Sequence, residues 1–473
     1  MNFSKKHIYR KHRGVALILS MIFIAIFSAL AVSMVSMSDT NAQLSGNHHE
    51  INNALSSAQS GIEIIRHYIS NMNISSDVAS QDRLSFATSS LRTTFEENEI
   101  TNITANYDSN SETLTIPSVT LNSASSQSFS ATVSYDGNDY DAIQIDITGN
   151  GYKFSRTIRV NYDFTTIGDS IFDYGVATKG ALQMSGQTEI NDVNLVDDVN
   201  LDISSNIYID ANDITGDAFS ITNHASVGGD VSIANPYATF EIGSNSSVGG
   251  DTGEDAEENV HVGIDYVDFP TPDTEYFRPF ATGPVIDSNT NLSDYETLDN
   301  ATILPNTNPT FASDIAIRGV LFIEQPNIVH FEGQSSVTGI IVAAGDVDNE
   351  STDNGIVFSG QVVCYDVTAL DGEQFEDISQ ETGTFIVAPG FSLDFSGQAM
   401  TLSGVIAANG ISFGGQAGGT IDGTIINYSS SPMIMSGQSN LTFDRSGAEA
   451  VPAGFVPNLI LTYDPESYSE THL

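Results

Sequence analysis

Cysteine, tryptophan and basic residues are scarce in this 473-residue chain. Its one cysteine, Cys364, allows no intramolecular disulfide and excludes a zinc site built from several thiolates. Tryptophan is absent while glycine and small polar residues are abundant, a composition typical of β-rich extracellular proteins. Packing and backbone hydrogen bonds must therefore supply the stability, and the length suffices for two or three domains.

Lys and Arg number only 15, against 60 acidic residues. Five of the basic residues lie before Gly14, and beyond Gly180 the only ones are Arg278, Arg318 and Arg445. Because binding to phosphates needs clustered positive charge, the acidic body predicts no nucleic-acid partner.

The N-terminal basic cluster is followed by Val15–Met37, an uncharged apolar run. As a helix this run is about 35 Å long, which is enough to cross a hydrocarbon core of about 30 Å. A secretory signal peptide would have a shorter apolar stretch. Since positive charge before an apolar span stays in the cytoplasm, the run predicts a single-pass anchor with a cytoplasmic N-terminus and an exported body.

Helical periodicity continues beyond the apolar run. Apolar residues recur at spacings of three, four and seven, at Leu44, Ile51, Leu55, Ala58, Ile62, Ile65 and Ile69. This pattern predicts one amphipathic face of a helix over 15–72, with Gly46 and Gly61 as its weak points.

From about residue 102 the period changes to two, which indicates half-buried strands. Turn residues such as Asp136-Gly137 separate the runs, so an antiparallel β module over 73–168 is predicted to pack on the helix.

Short internal repeats dominate the rest of the chain. A tetrapeptide that ends in Gly-Gln occurs six times, at 184–187, 331–334, 358–361, 395–398, 413–416 and 435–438. A Ser-Val-Gly-Gly-Asp repeat occurs at 226–230 and 247–251. Such spacings predict a parallel β-solenoid over 169–473, with stacked Gln side chains and glycines at unusual φ. We expect an irregular insertion at about 254–313 and a tail from Val456 that covers the last coil or stays mobile.

The expected fold class is thus mainly β with a long N-terminal α-helix. A basic leader (1–14) precedes a transmembrane helix (15–72), a small α+β module completed by 73–168, and a parallel β-helix (169–473).

The N-terminus resembles a known family. Arg13-Gly14 before the apolar run, Leu44-Ser45-Gly46-Asn47, and the stretch from Ser57 to Glu63 are similar to the N-terminal domain of PilX-type minor pilins of type IV pili. The resemblance implies that a prepilin peptidase cuts between Gly14 and Val15. It also implies residence in the bacterial inner membrane, followed by assembly with other pilins at the cell surface.

In most pilins the fifth mature residue is a glutamate that meets the N-terminal ammonium of a neighbouring subunit in the filament core. Here that position is Leu19, which cannot pair with an ammonium. The resemblance therefore implies a place at the tip of the filament or in its initiation complex.

The expected function is structural: a minor subunit that displays the solenoid for adhesion to a surface glycan or protein. We assign no catalytic residue and no metal ligand, because the histidines are scattered and no catalytic motif occurs. Acidic groups at 136–141, 210–217 and 346–350 leave a Ca²⁺ site open, although none has the spacing of a calcium loop.

Two alternatives also stay open. Parallel β-helices carry polysaccharide lyases and hydrolases, which need clustered carboxylates in a cleft. The chain could also be a membrane-tethered surface protein, unprocessed and with no pilus role.

Overall fold

A computed structural model describes residues 13–471 except 71, 73, 99, 125, 138, 193–204, 213, 215, 313–314, 348–350, 400 and 445–450. The described chain is mainly β with a long N-terminal helix, which confirms the expected fold class. It divides into two compact units. Unit 1 contains the described residues up to Ile74, then Val78–Thr165 and the stretch from Ile460, and unit 2 contains Ser75–Asp77 and Thr166–Leu459. The leader lies outside the described residues, apart from Arg13 and Gly14.

Unit 1 combines two helices with one sheet. The helices are α1 (Arg13–Ser70) and α2 (Arg83–Glu97). The sheet has the order β1-β37-β6-β5-β4-β3-β2, with strands β1 (Ile74–Ser75), β2 (Asn106–Asp108), β3 (Thr113–Asn122), β4 (Gln127–Asp136), β5 (Asp139–Asn150), β6 (Ser155–Ile167) and β37 (Asn458–Thr471). The strands from β2 to β6 pair antiparallel in sequence, as the period-two alternation predicts.

Two elements of unit 1 differ from the sequence expectation. Helix α2 lies within 73–168, where only strands were expected; it buries Leu84, Leu91 and Phe95. The tail neither covers the last coil nor belongs to the solenoid, because β37 joins the sheet of unit 1 beside β6. Unit 2 is thus inserted between two strands that are neighbours in one sheet.

Small residues let α1 approach the sheet closely. Ala54 and Ala58 are fully buried, and a Cβ at Gly149 of β5 would lie 2.1 Å from the Ala54 carbonyl oxygen. A Cβ at Gly61 would lie 2.7 Å from Cδ2 of Phe129. Gly61 is therefore a packing position and not a weak point. Leu44, expected on the buried face, is exposed.

Unit 2 is a parallel β-solenoid of three sheets. Its strands, β7–β36, are numbered in the order in which they occur in the chain. Sheet I contains β7 (Val176–Thr178), β10 (Ile207–Ile209), β13 (Val231–Ile233), β17 (Val260–Val262), β18 (Val285–Ile286), β19 (Thr297–Asp299), β20 (Thr302–Ile303), β22 (Ile315–Ile323), β24 (Gln334–Ala343), β26 (Gln361–Tyr365), β27 (Thr384–Ala388), β29 (Gln398–Ala399), β31 (Val405–Ala408) and β34 (Ile425–Asn427).

The other two sheets contain the remaining strands of the solenoid. Sheet II contains β8 (Leu182–Ser185), β11 (Asp217–Thr222), β14 (Thr239–Ile242), β21 (Thr310–Phe311), β23 (Ile328–Phe331), β25 (Gly355–Phe358), β28 (Ser392–Phe395), β32 (Ile411–Phe413) and β35 (Met433–Met435). Sheet III contains β9 (Glu189–Asp192), β12 (Ser226–Val227), β15 (Ser247–Val248), β16 (Asp251–Thr252), β30 (Thr401–Ser403), β33 (Gly418–Asp422) and β36 (Asn440–Phe443).

The coils do not stack in chain order. Sheet I has the order β17-β13-β10-β7-β34-β31-β27-β24-β22-β20-β18, so the first coil lies between the second and the last. Three parallel strand pairs join the first coil to the last: β7 with β34, β8 with β35, and β9 with β36. The solenoid therefore consists of two blocks, 176–262 and 285–443, whose junction is closed by main-chain pairing.

A crossover segment, 263–284, connects the two far ends of the solenoid. Its path from β17 to β18 covers ten strand spacings, or about 48 Å, and 22 extended residues can reach about 70 Å. Phe269 and Phe277 of the segment pack on the outer face of sheet I, and Tyr428 donates a hydrogen bond to the Pro270 carbonyl at 2.6 Å. The expected insertion is thus shorter than 254–313, because β17 to β21 lie within the solenoid sheets.

The stacking unites the six Gly-Gln repeats in one column. Met435 pairs with Met184, so the first repeat in the chain follows the last one in space. Along the column the rings of Phe311, Phe331, Phe358, Phe395 and Phe413 stack with centroids 4.8–5.0 Å apart.

The described Gln amides form two runs of the predicted ladder, and the side chain of Gln398 between them lies outside the description. Gln334 donates to Gln361 at 3.1 Å, and Gln438 donates to Gln187 at 3.0 Å and accepts from Gln416 at 3.4 Å. The glycine prediction is correct only in part. Gly186, Gly415 and Gly437 have positive φ, whereas Gly397 is required by close approach, since its Cβ would lie 1.9 Å from the Gly360 carbonyl oxygen.

Gly149→Ala should destabilise unit 1 by about 3 kcal/mol, because the new methyl would overlap the backbone of α1. Gly46→Ala is the control, since nothing lies within 4 Å of its Cβ position and alanine favours the helix. Hydrogen exchange of β4 and β5 peptides measures the effect. Equal protection in the two variants would contradict the packing.

Phe358→Ala should destabilise the solenoid by about 3–5 kcal/mol, because it leaves a cavity in the middle of the stacked ring column. Phe86→Ala, at a side chain 42% exposed, should change stability little. Urea unfolding followed by hydrogen exchange of sheet II peptides tests the pair. A small effect of Phe358→Ala would show that the ring column does not support the fold.

Candidate functional site: the exposed half of the N-terminal helix

Helix α1 has two halves with opposite surroundings. Every side chain described from Val15 to His49 is exposed, whereas Ala54, Ser57, Ala58 and Ile65 are buried against the sheet. No proline interrupts the helix, so its backbone hydrogen bonds continue without a break from one half to the other. The exposed half is about 50 Å long.

The exposed half carries the apolar surface. Its large apolar side chains are 50–71% exposed, and the most apolar window has a mean hydropathy of 2.8. By length and composition this is a helix that can cross a membrane. Fifteen large apolar side chains lie between Val15 and Met37. Complete burial of these side chains, at about 1.5 kcal/mol or more for each, would contribute well over 10 kcal/mol of favourable free energy.

The expected processing residues lie at the start of this half. Gly14 is in the first turn of α1, and the side chain of Val15 is 62% exposed. Leu19 is 54% exposed and lies one turn further on. No acidic residue occurs between Arg13 and Asp39, so a partner's ammonium near Leu19 would find no carboxylate on this stretch of helix.

The described residues contain no cluster of three or more His, Cys, Asp or Glu side chains arranged to hold a metal ion. At 136–141, Asp141 pairs with Arg83 at 2.8 Å and Asp136 accepts a hydrogen bond from Asn161. At 210–217, Asp210 accepts from Asn212 and Asp217 accepts from Thr239, while residue 213 lies outside the description. Of the acidic group at 346–350, residues 348–350 are likewise undescribed.

Burial explains the state of the single cysteine. Cys364 is 2% exposed in the solenoid core, and burial raises the pKa of its thiol. A thiol of this kind is unreactive, as its apolar neighbours in the sequence indicate.

One carboxyl group in unit 2 has an unusual environment that the sequence did not reveal. Burial raises the pKa of Asp169 to about 6, with a further contribution from Asp268. A hydrogen bond from the Asn458 side chain opposes this increase, and Asp169 also raises the pKa of the buried Tyr428. Asp169 and Asn458 join the segments through which the chain enters and leaves the solenoid, almost three hundred residues apart in sequence.

Comparison with known proteins gives little further information. No known family and no curated protein matches the chain in sequence. Among solved structures, the chain is similar to the competence-associated pilin ComZ from Thermus thermophilus at 12% identity. The match has a TM-score of 0.28 and covers 73% of this chain and 84% of that one. A TM-score this low supports no argument, so the resemblance to PilX-type pilins stays a prediction from the sequence.

The raised pKa of Asp169 predicts the direction in which the stability of the protein changes with pH. Its stabilising contribution is fully present below about pH 4 and is lost as the pH rises through about 6, because the folded state disfavours the carboxylate. Asp169→Asn should therefore increase the unfolding free energy at pH 7, relative to its effect at pH 4, by roughly 2 kcal/mol.

Urea unfolding at the two pH values measures this difference. Asp394→Asn, which replaces an exposed carboxylate of β28 by an amide, is the control. The prediction is wrong if Asp169→Asn has the same effect at both pH values.

Proposed function

We propose that this protein is a minor pilin-like structural subunit of a type IV pilus-like filament. The exposed half of α1 first anchors the chain in the inner membrane and then packs among the helices of other subunits. Unit 2 is the part displayed, as an adhesive surface at the filament tip or in an initiation complex.

The division of α1 is the observation that carries the proposal. Its second half is built into unit 1 through Ala54, Ala58 and Gly61. Its first half, 15–49, has only exposed side chains and is apolar up to Met37. A plain membrane anchor explains the apolar run but not a rigid continuation into the folded unit. A subunit that must transfer one helix from lipid to a bundle of like helices requires both features.

Leu19 supports the position within the filament. Inside an apolar bundle, an N-terminal ammonium without a carboxylate partner is costly. A subunit with Leu19 in place of glutamate has no carboxylate to neutralise the N-terminal ammonium of a subunit added next to it. It is therefore best placed where one neighbour is missing, at the tip.

The solenoid supports a display role. Each coil is held to the next by main-chain hydrogen bonds and stacked side chains, which gives a rigid body. Its basic residues are very few, and Arg278 and Arg318 are engaged by acidic side chains of the solenoid. The surface therefore favours neutral or cationic ligands over anionic ones.

Processing can be read directly from the mature N-terminus. We expect intact-mass analysis of the protein from its native host to show a chain that starts at Val15. Gly14→Val should block the cut, whereas Gly46→Val, also on the exposed half of α1, should not. A wild-type chain that retains residues 1–14 would favour the unprocessed membrane-tethered alternative.

The location follows from immunogold labelling of unit 2 on isolated filaments. We expect label at the ends only. Leu19→Glu should move part of the label onto the shaft, because the added carboxylate can pair with a neighbour's ammonium, whereas Ile18→Glu should not. Even labelling of the shaft by the wild-type chain would exclude the tip assignment.

A further inference from the structure

One end of the solenoid is closed by a loop and not by another coil. Strands β18 and β21 are the last strands of sheets I and II at this end. The loop 287–296 follows β18, and its Leu292 and Tyr295 pack against the solenoid core. Between this loop and residues 307–312 lies a cavity of about 390 Å³. This volume is within the range of about 300–1,000 Å³ that small-molecule sites occupy.

The cavity has an apolar base and a hydroxyl-rich wall. Leu292, which is partly buried against the core cluster, and the exposed Ala312 give the base its apolar surface, whereas Ile286, Phe311 and Ile315 at the cavity are almost fully buried. The wall carries the hydroxyl groups of Ser288, Ser293, Thr290, Thr307 and Thr310, and the carboxylate of Asp287. Such a wall can donate and accept hydrogen bonds, whereas the base offers only apolar contact.

Hydrogen bonds within the loop hold the wall in place. Asp287 accepts from the Thr290 hydroxyl at 2.8 Å and from the backbone N–H of Asn289 at 3.0 Å, and these bonds hold the pKa of its carboxyl below the usual range. Ser293 donates to the Asn291 side chain at 2.9 Å. The wall thus needs little ordering when a ligand binds.

The negative charge of the cavity lining disfavours anionic ligands. Among the described residues that line the cavity, Asp287 is the only ionisable side chain, so these residues contribute one negative charge and no cation. A phosphate, sulfate or carboxylate would meet repulsion and find no Lys or Arg partner. A neutral ligand with one apolar face and several hydroxyl groups matches both the base and the wall.

We propose that this cavity binds one neutral sugar ring, with a C–H face of the ring against the apolar base and ring hydroxyls on the wall. The proposal rests on the display function for its biological role, since a filament that presents such a cavity would bind surface glycans. A ligand of about twelve non-hydrogen atoms is expected to bind with a dissociation constant of about a millimolar.

The test uses the full chain, purified in a detergent whose headgroup contains no sugar. Saturation-transfer NMR and titration are run with the methyl glycosides of glucose, galactose, mannose and N-acetylglucosamine, and with glucuronate as the anionic comparison. We expect at least one neutral glycoside to bind in the millimolar range and glucuronate to bind at least tenfold more weakly. No binding by any neutral glycoside up to about 50 mM, some fiftyfold above the expected constant, would overturn the proposal.

Three variants link binding to the cavity. Ser293→Trp and Ser288→Phe place bulk in the cavity and should each weaken binding at least tenfold. Ser244→Trp, in an exposed turn between β14 and β15, is the matched control and should leave binding unchanged. Asp287→Asn should reduce the discrimination against glucuronate. Unchanged binding in both cavity variants, with the solenoid folded by hydrogen exchange, would contradict the site.

Sugar binding and filament assembly are measured separately, so the two proposals can be tested independently. Loss of sugar binding in Ser293→Trp with label still at the filament tip would support both proposals. Sugar binding by a wild-type chain that never enters a filament would support the cavity and contradict the pilin role.

Discussion

Unit 2 depends on the pairing of its first coil with its last. The β7–β9 coil accepts β34–β36 along one edge and the second coil along the other. Without this junction the two blocks would share only the crossover segment, and both would expose open strand edges. Because an unpaired edge leaves backbone donors and acceptors unsatisfied, the last 160 residues of the solenoid must be wound before the first coil is fully paired.

The same junction organises the side-chain columns. The Phe rings at 331, 358, 395 and 413 lead to Met435 and then to Met184, where the column passes from one block to the other. The Gln ladder crosses at the same point through Gln438 and Gln187. Main-chain register and side-chain stacking thus select one alignment of the blocks, since a shift by one coil would break both.

Helix α1 depends on a different constraint, the close approach of its second half to the sheet of unit 1. Half of the helix packs closely on the sheet at Ala54, Ala58 and Gly61, where there is no space for larger side chains. The other half is left with an apolar surface that water cannot stably cover. This division is the observation on which the proposed role as a filament subunit rests.

Local patterns in the sequence were enough to predict the apolar run, the alternation of β4 to β6, the Gly-Gln repeats and their amide ladder, because each depends on residues close together in the chain. They did not predict α2, the return of β37 to unit 1 or the cavity beside Asp287. Nor did they show that Gly149 and Gly61 face other elements, or that Asp169 meets Asn458. Only the tertiary structure decided the order of the coils, because every coil has a similar edge and its neighbour is chosen by long-range pairing that carries no signature in the local sequence.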